Sequence, residues 1–323
     1  MQTSVQNAVL ILEKLRPSTA TLRAFGLLVV LLCVLFVASG QVSGHQILDN
    51  MRQAAPLGII TLGQALILMM GRLDLSVGAT AGLANVVLAM TFAGNMDNMA
   101  YALSITLGCG ALVGVANGLL VVALRIPAFL ATLATSLVLT GTTLVVTGGS
   151  PRGSIPAEFR VITEGWFLGV LPYSVILWLA AIAGLTLLVH FTMPGRRMLL
   201  AGANSRAARL NGIAAGRMIV ISFVFSSLAA TIGGILLSAI TGMASIGIAD
   251  AYTVDSIAAA VIGGAVFGGG VFLAAGVSIG ALILFFVQSL LYVVSLPPAT
   301  RFIVQGGIIV LALALANIRR KSD

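Results

Sequence analysis

Two charged residues lie in one of the most apolar parts of the chain, in the stretch GRLDLSVG at 71–78. The carboxylate of Asp74 can cap a helix by accepting hydrogen bonds from the amides of Ser76 or Val77, and the helix dipole favours its negative charge. Arg72 can extend its guanidinium to the lipid headgroups. A carboxylate in a membrane can also carry a proton or an ion. The sequence therefore leaves a helix cap and an ion-coupling group as alternatives for Asp74.

The composition identifies the solvent around these residues. Charged residues make up 8% of the 323 residues, against about 25% in a typical soluble domain. The uncharged stretches 218–249 and 256–300 are each longer than the roughly 20 residues that cross a bilayer. The basic residues are confined to short segments between apolar runs, which argues against a nucleic-acid-binding domain. We expect an all-α polytopic membrane protein.

Apolar runs and helix breakers predict about ten transmembrane helices. They lie near 25–44, 54–71, 74–93, 101–124, 128–147, 171–191, 218–240, 252–268, 272–294 and 302–318. With the N-terminus inside, 13 of the 17 basic residues fall on the cytoplasmic side, as the positive-inside rule requires. Both termini are therefore predicted to be cytoplasmic. Eight spans is the alternative, because only the glycines at 268–270 separate the eighth span from the ninth.

This topology divides the chain into a cytoplasmic lead at 1–24, a transmembrane domain at 25–318 and a cytoplasmic tail at 319–323. The longest basic inner segment, 193–218, holds five arginines and no acid. Within it, NSRAARLNG predicts a short amphipathic helix with Asn204 as its cap and Gly212 as its stop. The alternative is a loop that only fixes the orientation of the chain.

Neutral polar side chains at membrane depth are candidates for a solute pathway, because they hydrogen-bond hydroxyl groups without trapping an ion. These candidates are Gln64, Asn85, Asn117, Gln288 and Gln305. Each could instead hold neighbouring helices together. Asp255 is predicted in the first turn of the eighth span, on the outer side. It is either a cap or a solute contact near the outer mouth.

The sequence predicts no chemistry within this chain. No G-x-x-x-x-G-K-[ST] pattern occurs, so any ATP used must be hydrolysed by another chain. No paired His/Glu ligands and no Ser/His pair lie at membrane depth, which argues against catalytic and metal sites. We therefore expect a protein that is not an enzyme and that holds no cofactor of its own.

Three motifs carry a resemblance to a known family. QALILMMGRLDLSVGA resembles the stretch around GGIDLSVG in permease subunits of bacterial sugar ABC importers of the ribose, xylose and arabinose type. AARLNGI resembles the family's ATRLSGI. AYTVDSIAAAVIGG, followed by GGG and SIGALIL, resembles the family's YELDAIAAVVLGG, glycine pair and IGALIL. The resemblance covers roughly residues 50 to 318. Arg72 departs from it by replacing the second glycine of the first motif, and Gly270 lacks the basic residue that usually follows.

The resemblance implies a multi-pass permease of the bacterial inner membrane, paired with a second permease subunit as a homo- or heterodimer. A cytoplasmic ABC ATPase would supply ATP and Mg, and a periplasmic solute-binding protein would deliver the solute. That solute would be small and hydroxylated, of the monosaccharide type, and would move from periplasm to cytoplasm. The basic loop would couple to the ATPase through the residues Asn204, Arg206, Arg209, Leu210, Asn211 and Gly212.

An ion-coupled secondary transporter of a small polar solute is the alternative function. It would need an acidic residue near the middle of the membrane. Asp74 is predicted at the membrane edge, and no other acid is predicted within a span. Since a secondary transporter also has no use for an ATPase-docking helix, the sequence favours the importer. The motifs leave pentoses, hexoses, polyols, furanone-like signals, nucleosides and amino acids as candidate solutes.

Overall fold

The computed structural model describes residues 18–39 and 43–295, and beyond them positions 300, 303, 306, 307 and 310. Within 18–39 and 43–295 the chain is mostly helical. The helices are α1 (Thr19–Ser39), α2 (Gly44–Met69), α3 (Val77–Phe92), α4 (Met99–Val122), α5 (Ala128–Thr147), α6 (Ala157–Glu164), α7 (Tyr173–Phe191), α8 (Met193–Ala203), α9 (Ser205–Leu210), α10 (Ala215–Thr241), α11 (Tyr252–Ile262) and α12 (Ala274–Val293). A 3-10 turn (Met96–Asn98) precedes α4, and β1 (Trp166–Phe167) pairs antiparallel with β2 (Leu171–Pro172).

Six of the described helices are long and apolar enough to cross a membrane: α1, α4 with its preceding turn, α5, α7, α10 and α12. Two shorter helices, α3 and α11, are also apolar. The all-α polytopic membrane fold is confirmed. Nine of the ten predicted spans each coincide with a helix, while 302–318 lies almost wholly outside the described residues.

The first helix begins earlier than predicted. α1 starts at Thr19 and includes positions that the sequence had assigned to the cytoplasmic lead, such as Arg23. The reason is local: the hydroxyl of Ser18 accepts a hydrogen bond from the amide of Thr21 at 3.1 Å and so caps the helix there. Residues 1–17 and the tail at 319–323 lie outside the described residues.

Helix α10 is at the centre of the fold and packs closely against α2, α3 and α4. The contacts are made by glycines: a Cβ atom on Gly114 of α4 would lie 2.6 Å from the Cα of Val224, and one on Gly234 would lie 2.3 Å from the carbonyl oxygen of Ala81 in α3. Residues without side chains let membrane helices approach closely. Along α2, every residue at 54–69 is buried.

Helix α5 packs against the rest of the fold along one narrow face only. Ala131, Thr132, Leu139 and Thr143 are buried, whereas most other positions of this helix are exposed. The side chain of Val145, for example, is 81% exposed. The outer surface of α5 therefore faces lipid, a partner chain or a solute path.

Candidate functional site

Two membrane crossings of the fold are interrupted by non-helical segments, and the helices that follow these two interruptions meet. After α2 the chain runs without helix through 70–76, and α3 begins only at Val77. After α10 it runs without helix through 242–251 to the 11-residue α11. The amide of Gly78, in the first turn of α3, donates to the hydroxyl of Thr253, in the first turn of α11, at 3.2 Å. The N-termini of two short helices therefore lie side by side.

The meeting point lies deep in the bundle. Ser226 of α10 contacts the non-helical segment before α3 and lies eleven residues after the start of α10. At 1.5 Å per residue that is about 16 Å along the helix. Gly78 lies fourteen residues before the end of α3, or about 21 Å. A hydrocarbon core is about 30 Å thick, so neither helix starts at a membrane surface. Helices that begin inside the membrane form solute and ion sites in many transporters.

Asp74 anchors the first interruption. It is wholly buried, and its Oδ1 accepts hydrogen bonds from the amide of Ser76 at 2.9 Å and from the hydroxyl of Ser76 at 2.6 Å. Its Oδ2 accepts a hydrogen bond from the hydroxyl of Ser226 at 3.2 Å. All three donors point at one carboxylate, which satisfies its charge without a cation.

The predicted environment of Asp74 is therefore partly wrong. The carboxylate accepts the amide of Ser76, as the cap interpretation required. The helix, however, begins at Val77 rather than Asp74, and Asp74 lies in the interior rather than at the membrane edge. The physical reason is that the chain does not enter α3 directly after α2: after a left-handed Gly71 (φ 68°), the segment 72–76 runs inward without helix before α3 begins.

The hydrogen bonds continue from Ser76 to two more helices. The amide nitrogen of Asn117 on α4 donates to the hydroxyl of Ser76 at 2.9 Å, and its Oδ1 accepts from the hydroxyl of Thr135 on α5 at 2.6 Å. The amide of Leu75 donates to the hydroxyl of Thr132 on α5 at 2.9 Å. The segment 70–76 is thus fixed to α4, α5 and α10.

Asn85 fixes the start of the second interruption. Its Nδ2 donates to the hydroxyl of Ser238 at 2.9 Å and to the carbonyl of Met243 at 3.2 Å, and its Oδ1 accepts from the amide of Ser245 at 2.7 Å. Both Asn85 and Asn117 are buried and bonded to other parts of the chain. In this conformation they join structural elements, and their assignment to a solute pathway stays a prediction.

The other predicted pathway residues are placed differently from one another. Asp255 lies in the first turn of α11, but it is wholly buried beside the start of α3, so its predicted position at the outer mouth is wrong. Its Oδ2 accepts from Nε2 of Gln288 at 3.3 Å. Gln64 of α2 is wholly buried, and its side-chain amide has no hydrogen-bond partner among the described residues. Gln305 lies outside the described residues.

A small cavity lies beside the meeting point, between α3, α5 and the segment 242–251. Its polar side chains are those of Thr140, Thr143 and Asp250, and Ala79 and Gly247 also line it. Its volume of about 20 Å³ is enough for about one water molecule. Sequence reasoning did not single out these three polar residues. The available signal was an acid close before a short apolar helix, at Asp250.

The chain is similar to known membrane permeases. A family described as "Branched-chain amino acid transport system / permease component" matches residues 46–313. The chain belongs to this permease family. The ribose import permease protein RbsC of Bacillus subtilis (strain 168) is 32% identical over 301 residues, covering 92% of each chain. The galactose/methyl galactoside import permease protein MglC of Escherichia coli (strain K12) is 30% identical over 311 residues, covering 91% of this chain and 92% of its own.

A further relative covers less of the permease. The autoinducer 2 import system permease protein LsrC of Enterobacter sp. (strain 638) is 35% identical over 185 residues, which is 57% of this chain and 53% of its own. No solved structure significantly matches this permease. The predicted resemblance to permease subunits of sugar-type ABC importers is confirmed by these relatives.

The basic loop of the permease contains two helices. Asn204 caps α9 as predicted, since its Oδ1 accepts from the amides of Arg206 at 3.1 Å and Ala207 at 3.0 Å. Gly212 follows α9 in the left-handed region (φ 74°), which confirms the predicted stop. Leu210 is 84% exposed. The predicted ATPase contact of this segment stays a prediction.

The preceding helix, α8, was missed as a separate element. Its signals are present in the sequence as a possible cap at Thr192 followed by Pro194 in the first turn. In the structure, the hydroxyl of Thr192 accepts a hydrogen bond from the amide of Gly195 at 3.3 Å. Near its end, Gly202 packs against the end of α2, because a Cβ atom there would lie 1.9 Å from the carbonyl oxygen of Met69. The loop is thus fixed to the bundle close to the first interruption.

Proposed function

We propose that this permease is the membrane-spanning subunit of an ATP-driven importer that moves a small hydroxylated solute, of the monosaccharide class, from periplasm to cytoplasm. The observation that carries the proposal is the meeting of α3 and α11 deep in the bundle, beside a cavity lined by hydroxyl and carboxylate groups. The names of the ribose and galactose relatives support the solute class.

The proposed assembly contains two permease subunits, identical or different, a cytoplasmic ABC ATPase with its ATP and Mg, and a periplasmic solute-binding protein. A separate ATPase is supported by the absence of a G-x-x-x-x-G-K-[ST] pattern from the sequence. We place the subunit in the bacterial inner membrane with ten spans and both termini cytoplasmic. The 13-to-4 distribution of basic residues supports this orientation.

Helix α9 is the proposed contact with the ATPase. It is short, capped at both ends and highly exposed, with the side chain of Leu210 projecting from it. An exposed apolar side chain close to two arginines, Arg206 and Arg209, suits a groove on a partner better than it suits water. The stop at Gly212 fixes the direction in which the chain leaves the helix.

One observation favours the ion-coupled alternative. Asp74 is a buried acid deep in the membrane, so the sequence-based argument that no acid lies there was wrong. Its three hydrogen-bond donors, however, already stabilise the carboxylate. The family of the chain also favours the importer.

The experiment is uptake into proteoliposomes that contain the permease with candidate ATPase and binding-protein partners, with ribose and galactose as probes. We expect uptake that requires ATP and the binding protein. Ion-gradient-driven uptake by the permease without any ATPase would contradict the proposal and favour the alternative.

A variant of the loop tests the coupling in the same system. Gly212→Val places a branched side chain in the left-handed region, so we expect normal insertion but loss of solute-stimulated ATP hydrolysis. Ala207→Val is the matched control, because it adds the same side chain at an exposed helical position of α9. Arg206→Gln and Arg209→Gln should have milder effects, since charges at the rim of an interface mostly tune association. Normal coupling in Gly212→Val would remove α9 from the proposed contact.

A further inference from the structure

Asp250 differs from the two other acids close to the interrupted crossings. Asp74 and Asp255 are wholly buried and hydrogen-bonded. Asp250 is exposed, and within the part of the chain that the structure describes its carboxylate accepts no hydrogen bond and forms no ion pair. A carboxylate of this kind needs a polar environment that the described residues do not supply.

Asp250 lies deep in the bundle, where a polar environment for its carboxylate is especially important. Its carbonyl oxygen would lie 3.3 Å from a Cβ atom on Gly78, which is itself about 21 Å along α3 from the end of that helix. A charged side chain at such a depth is costly if it faces lipid, and non-helical backbone is tolerated there only inside protein or beside water. The exposed face around Asp250 must therefore adjoin water or a polar surface.

The remaining polar side chains of the cavity are acceptors as well. The hydroxyl hydrogens of Thr140 and Thr143 are used within α5, where they bond the carbonyls of Ser136 at 3.0 Å and Leu139 at 2.9 Å. Each threonine oxygen keeps a lone pair for a ligand. The residues that line the cavity include no basic side chain. A ligand must therefore supply the hydrogen atoms for its bonds to these side chains.

We propose that Asp250, Thr140 and Thr143 form a solute site whose side chains only accept hydrogen bonds, so that it takes neutral polyhydroxylated solutes and repels anionic ones such as sugar phosphates. The solute class rests on the proposed function, whereas the repulsion of anions follows from the charge of the site alone. The cavity itself holds only about one water molecule, and Gly82 leaves open space beside it.

The charge of the site can be measured without any transport. Thr140→Cys is made in a chain whose two cysteines, Cys33 and Cys109, are replaced by serine and alanine. The thiol is labelled in membranes at low salt with cationic and anionic methanethiosulfonate reagents of similar size. Relative to a free thiol, we expect the cationic reagent to be favoured roughly fivefold, because the carboxylate of Asp250 attracts it and repels the other reagent.

Removal of the carboxylate is the decisive comparison. Asp250→Asn should bring the labelling ratio at Thr140→Cys back to that of the free thiol. Asp97→Asn is the matched control, since it removes the same charge from an exposed turn before α4 and should leave the ratio unchanged. A ratio that is insensitive to Asp250→Asn would overturn the proposal.

A second variant covers the case in which Thr140→Cys does not fold. Asp250→Cys should react with both reagents, whereas Leu179→Cys and Leu187→Cys, at exposed positions of α7, should react slowly because they face lipid. An Asp250→Cys thiol as unreactive as these two, with and without ATP turnover, would overturn the proposal. In the uptake assay, Asp250→Ala should lower ribose uptake at least fivefold and Asp97→Ala should not. Failure of the unmodified permease to import ribose or galactose would count against the proposed function, while the labelling ratio would still test the site.

Discussion

The two interrupted crossings, 70–76 and 242–251, differ in how the acidic side chain of each non-helical segment is accommodated inside the bundle. In 70–76, the carboxylate of Asp74 is buried and receives hydrogen bonds from both Ser76 and Ser226. In 242–251, Asn85 fixes the beginning of the segment, yet Asp250 near its end is exposed and unpaired among the described residues. A polar residue at membrane depth is therefore informative only once its partners are known. The first segment has the features of a structural joint, and the second those of a site.

The comparison also separates two kinds of energetic contribution. Buried polar groups that satisfy one another fix the position of a chain segment, and removing one partner leaves the others unpaired in a medium without water. An exposed carboxylate contributes little to the folded state, because the groups around it do not depend on it. The following predictions test this difference, beginning with the largest expected effect on stability.

Asp74→Leu should destabilise the permease more than Gly78→Ala, Gly82→Ala or Asp250→Asn. It leaves the amide and hydroxyl of Ser76 and the hydroxyl of Ser226 without their acceptor, so we expect a loss of about 3 kcal/mol in the free energy of unfolding. Asp74→Asn keeps one oxygen acceptor and should lose about 1 kcal/mol. Unfolding in mixed micelles of dodecyl sulfate measures both. Equal stability of Asp74→Leu and the unmodified protein would mean that the first segment is not a joint.

Gly78→Ala should have the next largest effect, because it separates the starts of α3 and α11. A Cβ atom at this position would lie 2.3 Å from the hydroxyl oxygen of Thr253 and 2.6 Å from the carbonyl oxygen of Ala249. We expect a loss of about 1–3 kcal/mol by overpacking. Gly82→Ala, one turn later, meets no atom within 4 Å and should instead be neutral or stabilising by up to about 1 kcal/mol. The same unfolding assay compares the two, and effects of equal sign would contradict the close approach.

Much of the fold could be predicted from the sequence, because hydrophobic length and helix caps are local properties. Nine spans coincide with helices, and Asn204 and Gly212 bound α9 as expected. Both features are encoded within a few residues of where they act.

The depth of the interrupted crossings could not be predicted in this way. An apolar run has the same hydropathy whether its backbone is helical or extended, so the start of α3 is not visible in composition. Asp74 is held by Ser226, a residue 152 positions away, and Gly78 by Thr253, 175 positions away. Asp255 was misplaced for the same reason, since the position of α11 depends on its contact with α3 rather than on the length of the apolar run.

Asp250→Asn should have the smallest effect on stability and completes the comparison with Asp74→Asn. No described residue donates a hydrogen bond to the carboxylate of Asp250, so the substitution leaves no group of the described structure unpaired. Removing a charge at membrane depth is itself slightly favourable. We therefore expect the free energy of unfolding to change by no more than about 0.5 kcal/mol, the usual range for a surface substitution. A loss as large as that of Asp74→Asn in the same assay would mean that Asp250 has a structural partner, such as the second subunit. The two segments would then both be joints, and the distinction between them would have to rest on the labelling ratio at Thr140→Cys alone.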